Sequence, residues 1–253
     1  MERIDYAVQY DSWAPIYRRI QSEFGFPEEL ERAATQRLIG LLSETARRDP
    51  LERLRPRLEG SEAIVVGLAP SAGPPPIWTL PPSERPTRIL VADGAAQSCL
   101  GAGLTPDVIV TDLDGPVASE VLANARGAFA LIHAHGDNVP ALERWVGEFS
   151  GELGGSTSGP PHDGLLNVGG FTDGDRAAFL AEHLGAARIL LWGFDANRLD
   201  PSEEDPPRKR RKLAWADRLL GQLSLQSPVP ILRWSPDGRR ERYVALEPGA
   251  TTQ

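Results

Sequence analysis

Acids collect in this sequence directly after short apolar runs, and in a repeated form. Val108-Ile-Val-Thr-Asp-Leu-Asp-Gly115 ends on Asp112 and Asp114, one residue apart. In an extended strand alternate side chains share a face, so both carboxylates point into one region. Two close negative charges repel, and a hard divalent cation with oxygen ligands relieves that repulsion best. The bland use of the same pair is capping, with Asp112 closing a turn and Asp114 starting a helix near Pro116. Recurrence weighs against it. Asp93 follows Arg88-Ile-Leu-Val-Ala92, and Asp173 and Asp175 follow Leu165-Leu-Asn-Val168 and a glycine pair. Three acidic strand ends converging on one sheet edge predict metal-assisted phosphate chemistry.

A fourth strand end reads His133-Ala-His-Gly-Asp-Asn138. A zinc site would need three or four well-spaced ligands, and no cysteine lies nearby. Hydrogen-bonding roles suit His133 and His135 better, with Asp137 a candidate ligand of metal or substrate. A packed, satisfied side chain is an equally ordinary use of either histidine. The loop Gly67-Leu-Ala-Pro-Ser71-Ala-Gly73 stands after the first strand, where doubly wound folds receive phosphates on backbone N–H groups. It lacks both the Gly-Lys-Ser/Thr ending and the dinucleotide glycine spacing. The run Arg208-Lys-Arg-Arg-Lys212 is either a solvated helix face or a basic cover for a triphosphate. Cys99 falls in a helix-like stretch, which favours inert burial over reactivity.

These residues need elements to carry them. Ala63–Val66, Arg88–Ala92, Val108–Val110, Ala128–Ile132 and Arg188–Trp192 are short apolar runs suited to strands buried on both faces of a parallel sheet. Helical spacing fills Gly94–Gly103, Val117–Arg126, Val139–Phe149 and Asp173–Leu184. The alternation predicts an α/β fold with a doubly wound, mostly parallel, Rossmann-like sheet, whose ligands collect at the carboxyl ends of the strands. Residues 1–60 read as a helical region, with Leu30, Ala33, Ala34, Leu38, Leu41 and Leu42 on one stripe. Residues 61–196 form the catalytic α/β domain, and 197–253 add a helix and a β-hairpin that complete it. The hairpin pairs Pro230–Trp234 with Glu241–Leu246 around a turn at Ser235–Gly238. Gly154–Pro161 reads as a flexible loop, either a passive connection or a lid.

The chain has 253 residues, 41% hydrophobic and 25% charged, with a net charge of −8. That balance argues against nucleic acid or an anionic membrane as the main partner and suits carboxylates that recruit cations. No apolar run approaches a membrane span, and the N-terminus lacks the order of a signal peptide. A single cysteine cannot form an internal disulfide, which suits a reducing cytoplasm. Nothing in the composition decides between a monomer and a homo-oligomer.

Taken in order, four motifs resemble the archaeal-type 6-hydroxymethyl-7,8-dihydropterin pyrophosphokinases. They are Val91–Ala95, Pro106–Gly115, His133–Asn138 and Asn167–Arg176, and the likeness resumes from Lys212 to Ala216. The family is distantly similar to thiamine pyrophosphokinases, which carry Gly where Thr111 stands here and Lys near the position of Arg176. The resemblance implies transfer of a diphosphate from ATP to the hydroxymethyl group of a dihydropterin, releasing AMP, in folate or methanopterin-type biosynthesis. It implies Mg²⁺ held by Asp112, Asp114 and Asp173 or Asp175. Asp93 and Asp137 would orient the hydroxyl or a metal-bound water. Gly67, Ser71, Gly169, Gly170, Thr172, Asp175, Arg176 and Lys212 would receive the nucleotide, and His133, His135 and Asn138 the acceptor.

Three rivals remain open to the sequence. Val110–Gly115 looks like the nucleophile motif of haloacid-dehalogenase-type phosphatases. Pro116 stands where that group carries Thr or Val, and no Lys occurs between Asp114 and Asp175. A non-catalytic nucleotide-binding protein of the same fold would not need so many carboxylates together. Thiamine is the third contender, as an alternative acceptor.

Overall fold

The computed structural model describes residues 10–68, 75, 84–160, 162, 164–195, 199, 204–234 and 239–244. Ser71, the 235–238 turn and Leu246 lie outside them. Among the described residues nine strands form one sheet: β1 (Glu62–Val66), β2 (Thr87–Ala92), β3 (Val108–Thr111), β4 (Phe129–Ala134), β5 (Leu153–Thr157), β6 (Leu165–Leu166), β7 (Arg188–Trp192), β8 (Ile231–Trp234) and β9 (Arg240–Arg242). Their order is β6-β5-β4-β3-β2-β1-β7-β8-β9. Every pairing is parallel except β8 with β9, the antiparallel hairpin expected at the end of the chain.

The helices are α1 (Tyr10–Phe24), α2 (Glu28–Leu41), α3 (Glu44–Arg47), α4 (Pro50–Leu58), α5 (Ala95–Gly101), α6 (Val117–Ala125), α7 (Val139–Trp145), α8 (Asp173–His183) and α9 (Pro206–Gln226). Strand alternation divides the core between them. Ala63, Val65, Leu90, Val108, Val110 and Leu131 pack with residues of α1, α4, α8 and α9. Ile64, Val66, Val91 and Ile109 pack with α5, while Ala130, Ile132 and Ala134 pack with α2 and α7. Both faces are covered, as the unbroken apolar strands require. No helix among the described residues is long and apolar enough to cross a membrane.

Two expectations are corrected. Gly154–Thr157 is no loop but most of β5, paired parallel with β4. A Cβ at Gly155 would overlap Leu165 and press on Leu42 and Leu38, and one at Gly154 would press on Phe129 and Pro50. The glycines are there for close packing, which composition alone reads as looseness. On α2 the inner stripe is Glu31, Ala34, Thr35 and Leu38, while Leu30 is 49% exposed. The helix therefore turns two polar groups inward: Thr35 meets Thr157 at 2.9 Å, and Glu31 accepts from the Gly136 amide at 3.1 Å.

Gly155→Val is expected to lower stability by about 1–3 kcal/mol through overpacking. A urea midpoint equal to wild type would show that β5 is not packed as described.

Candidate active site

Asp93 follows β2, and Asp112 and Asp114 follow β3, the neighbouring parallel strand. Each of the three offers a carboxylate oxygen within 4.8 Å of the others. The local backbone is bent to achieve this. Asp93 has φ 44° and Leu113 φ 66°, left-handed conformations that cost non-glycine residues energy. Gly115 leaves room for Asp93, since a Cβ there would overlap the aspartate carboxylate. Thr111 donates its hydroxyl to Asp93 Oδ1 at 3.1 Å while accepting from the Leu113 amide at 2.9 Å.

Crowding sets the charge states. Burial opposes ionisation of Asp112, but the hydrogen bond and charge of His135 outweigh it and hold its carboxyl down at about 2. Asp114 is the exposed member of the trio, yet desolvation by the atoms around it, then the charges of Asp112 and Asp93, push its carboxyl up to about 7. Burial and the repulsion of Asp112 likewise raise Asp173. Asp173 therefore stands close to the trio in charge, although it is not among the three grouped oxygens. Such a cluster of hard oxygen donors, short of positive charge, fits a divalent cation.

His135, the residue after β4, counters the acids. Its Nε2 meets Asp112 Oδ2 at 3.0 Å and its Nδ1 meets Asp137 Oδ1 at 2.6 Å. Burial disfavours the imidazolium, yet the two carboxylates raise its pKa to about 10, so it is charged and donates to both. Asp137 is lowered in return by that bond. Asn138 donates to the carbonyls of Asp112 and His133 at 2.9 and 2.8 Å and accepts from the His135 amide. Its amide is thus committed to stapling the ends of β3 and β4. From α9, Lys212 lends positive charge to Asp112, Asp114 and Asp137.

Behind the acids lies a second, fully buried polar group. His133 Nε2 meets the Arg176 guanidinium at 2.9 Å. Arginine only donates, so Nε2 accepts and Nδ1–H donates to Ser156 Oγ at 3.0 Å. Burial, then the charge of Arg176, keeps this histidine neutral. Arg176 also approaches Asp173 at 3.7 Å. Gly170, at φ 81°, lets the chain pass over Arg176, where a Cβ would sit 2.6 Å from its Cα.

The remaining candidates sit otherwise than phosphate recognition alone would ask. Asp175 is completely buried and accepts from the amides of Phe171, Thr172 and Arg176 and from the Thr172 hydroxyl. Thr172 and Asp175 are the capping box of α8. The Gly169 amide is given to Asn167 Oδ1 at 3.0 Å. At Gly67 a Cβ would press on Phe194 and the Gly193 carbonyl, so its close approach is to that ring.

Sequence reasoning missed two acids. Glu120 on α6 is fully buried next to Asp93 and Thr111, and among the described residues neither of its oxygens meets a donor at hydrogen-bonding geometry. Burial, then the charge of Asp93, pushes its carboxyl up to about 9. Glu31, also raised by burial, grips the His135 loop from α2. Both occupy the apolar stripe of an amphipathic helix, a signal legible in principle.

A family model described as 6-hydroxymethylpterin diphosphokinase MptE-like matches residues 36–200. The chain belongs to this family of diphosphotransferases. Three relatives carry the name 6-hydroxymethyl-7,8-dihydropterin pyrophosphokinase. That of Methanothermobacter thermautotrophicus is 37% identical over 88% of this chain and 98% of its own length. That of Pyrococcus furiosus is 35% identical over 94% and 98%, and that of Methanocaldococcus jannaschii 34% identical over 72% and 78%.

Because the Glu120 carboxyl holds its proton in the folded protein up to about pH 9 against an ordinary value of 4.5, wild type loses stability as pH rises across that window. Glu120→Gln removes the ionisation. In EDTA its stability should gain on wild type progressively as pH rises between those limits. Parallel urea-midpoint curves for the two proteins from pH 5 to 9 would contradict the assignment.

Proposed function

We propose that this protein transfers a diphosphate from ATP to the hydroxymethyl group of 6-hydroxymethyl-7,8-dihydropterin, giving AMP and the pterin diphosphate, with Mg²⁺ as the metal. The observation that carries the reading is the convergence of Asp93, Asp112 and Asp114 within 4.8 Å at the ends of adjacent strands. The names of the relatives supply the acceptor.

In this reading Asp93, Asp112 and Asp114 hold the cation, with Asp173 beside them. The ion supplies charge neutralisation of the triphosphate and its alignment for in-line attack on the β-phosphorus. Everything else falls to the side chains. His135, fixed between Asp112 and Asp137, keeps the Asp112 carboxylate aimed and ionised. Lys212 offers an ammonium to phosphate oxygens that the carboxylates repel. Asp173, beside the trio, is the further carboxylate placed to receive the hydroxyl proton as the new O–P bond forms and the bond to AMP breaks. His133, Arg176 and Ser156 brace this layer rather than touch the acceptor, and Asn138 braces the strand ends. Asp175 serves as the helix cap and is not a ligand.

Incubation with ATP, Mg²⁺ and the hydroxymethyl dihydropterin should release AMP and the pterin diphosphate in equal amounts, followed by phosphorus NMR. Asp112→Asn and Asp114→Asn should each slow release by about 100-fold or more. ADP in place of AMP, or Asn variants at near-normal rates, would defeat the reading. Thiamine in place of the pterin tests the alternative acceptor.

A further inference from the structure

Beside the acids stands a group of rings that the reaction described above does not use. Phe24 ends α1, Phe26 follows two residues later, and Phe171 precedes the α8 cap. Phe24 and Phe26 stack at 5.7 Å and 13°, and Phe171 closes on them at 5.1 and 6.3 Å. Phe24 is buried, but Phe26 and Phe171 are only partly covered. Their cover is cationic. Arg208 lies over Phe24 and Phe26 at 5.5 and 5.4 Å, and Arg211 over Phe24 at 5.6 Å. Neither guanidinium forms an ion pair with a carboxylate among the described residues.

A structural reading makes this an extension of the core. It does not explain why planar cations, rather than aliphatic side chains, close it. A guanidinium stacked on a ring occupies the slot that a flat heterocycle would take, and at a partly exposed site that contact is weak enough to be exchanged. Two elements then tie the slot to the acids. Phe171 is two residues from Asp173, which lies close enough to Asp112, Asp93 and Asp114 to feel their charge. Arg208 and Lys212 are four apart on one face of α9, about 6 Å along its axis, and Lys212 is the cation felt by Asp112, Asp114 and Asp137.

We infer that Phe26 and Phe171 seat the heterocycle of the acceptor, with Arg208 clamping its outer face. The inference rests on the proposed reaction and adds the part of the protein that recognises its substrate. The pterin is favoured over adenine by reach. A single carbon joins the pterin ring to the attacking oxygen, whereas ribose and the α-phosphate separate adenine from the phosphorus attacked. A seat bordering the acids therefore suits the ring with the short arm. Phe24, Phe26, Arg208 and Arg211 lie outside residues 36–200, so the matched family region does not contain most of this seat.

Phe26→Leu and Phe171→Leu keep apolar volume and remove the ring, Phe171→Tyr restores it, and Arg208→Met keeps the stem without the cation. Each Leu variant should raise KM for the dihydropterin about tenfold, with KM for ATP within about twofold of wild type and Phe171→Tyr near wild type. Arg208→Met should raise the same constant in the same direction. A rise in KM for ATP instead would make this the adenine seat and overturn the inference, as would unchanged constants in both Leu variants. Fluorescence titration with oxidised 6-hydroxymethylpterin, without ATP, reads the seat independently of turnover. Wild type that binds it, with weakened binding in the Leu variants but no AMP release from the dihydropterin, would leave the seat and remove the reaction. Absence of pterin binding by wild type would remove both.

Discussion

Carboxylates do not gather unless something holds them, and their mutual repulsion is the constraint around which this site is arranged. Asp93, Asp112 and Asp114 come together because β2 and β3 are parallel neighbours whose chains leave the sheet at the same edge. Left-handed backbone at Asp93 and Leu113 turns the acids inward, at a cost that a well-packed sheet can carry. His135, Lys212 and the Thr111 hydroxyl offset part of the charge. The displaced proton affinities of Asp114 and Asp173 measure what is left. Oxygen donors so arranged are complementary to a small hard cation and to the phosphates it accompanies.

The helices before β1 share in this arrangement. Glu31 reaches from α2 to the amide of Gly136, and Trp13 from α1 donates to the Ser158 carbonyl at 3.1 Å. The loop after β4, which carries His135 and Asp137, and the segment after β5 are therefore each held by a helix from outside the sheet. Under it the line of Ser156, His133, Arg176 and Asp173 runs from β5 to α8. Removing one partner from such a buried line strands the next, which makes the set cooperative.

Much of this is legible in the sequence. Five apolar runs read as strands are β1, β2, β3, β4 and β7, and the acids after three of them sit at carboxyl ends, because burial on both faces leaves strands few other compositions. β5 escaped because Gly154 and Gly155 carry no apolar signal, and their role appears only when Leu165, Leu42 and Leu38 are seen against them. Asp175 shows a different limit. An acid three residues past Thr172 is equally a ligand motif and a capping box, and spacing cannot separate the two. Its four donors do. Glu31 and Glu120 were hidden among exposed acids, although each lies on its helix's inner stripe.

Direct metal binding tests the central claim most closely. Mn²⁺, a paramagnetic substitute for Mg²⁺, can be titrated into the protein with a non-hydrolysable ATP analogue and followed by electron paramagnetic resonance. The account predicts saturable binding that is lost or greatly weakened in Asp93→Asn, Asp112→Asn and Asp114→Asn and retained in folded Asp175→Asn. Undiminished binding in the three trio variants, or its loss in folded Asp175→Asn alone, would contradict it.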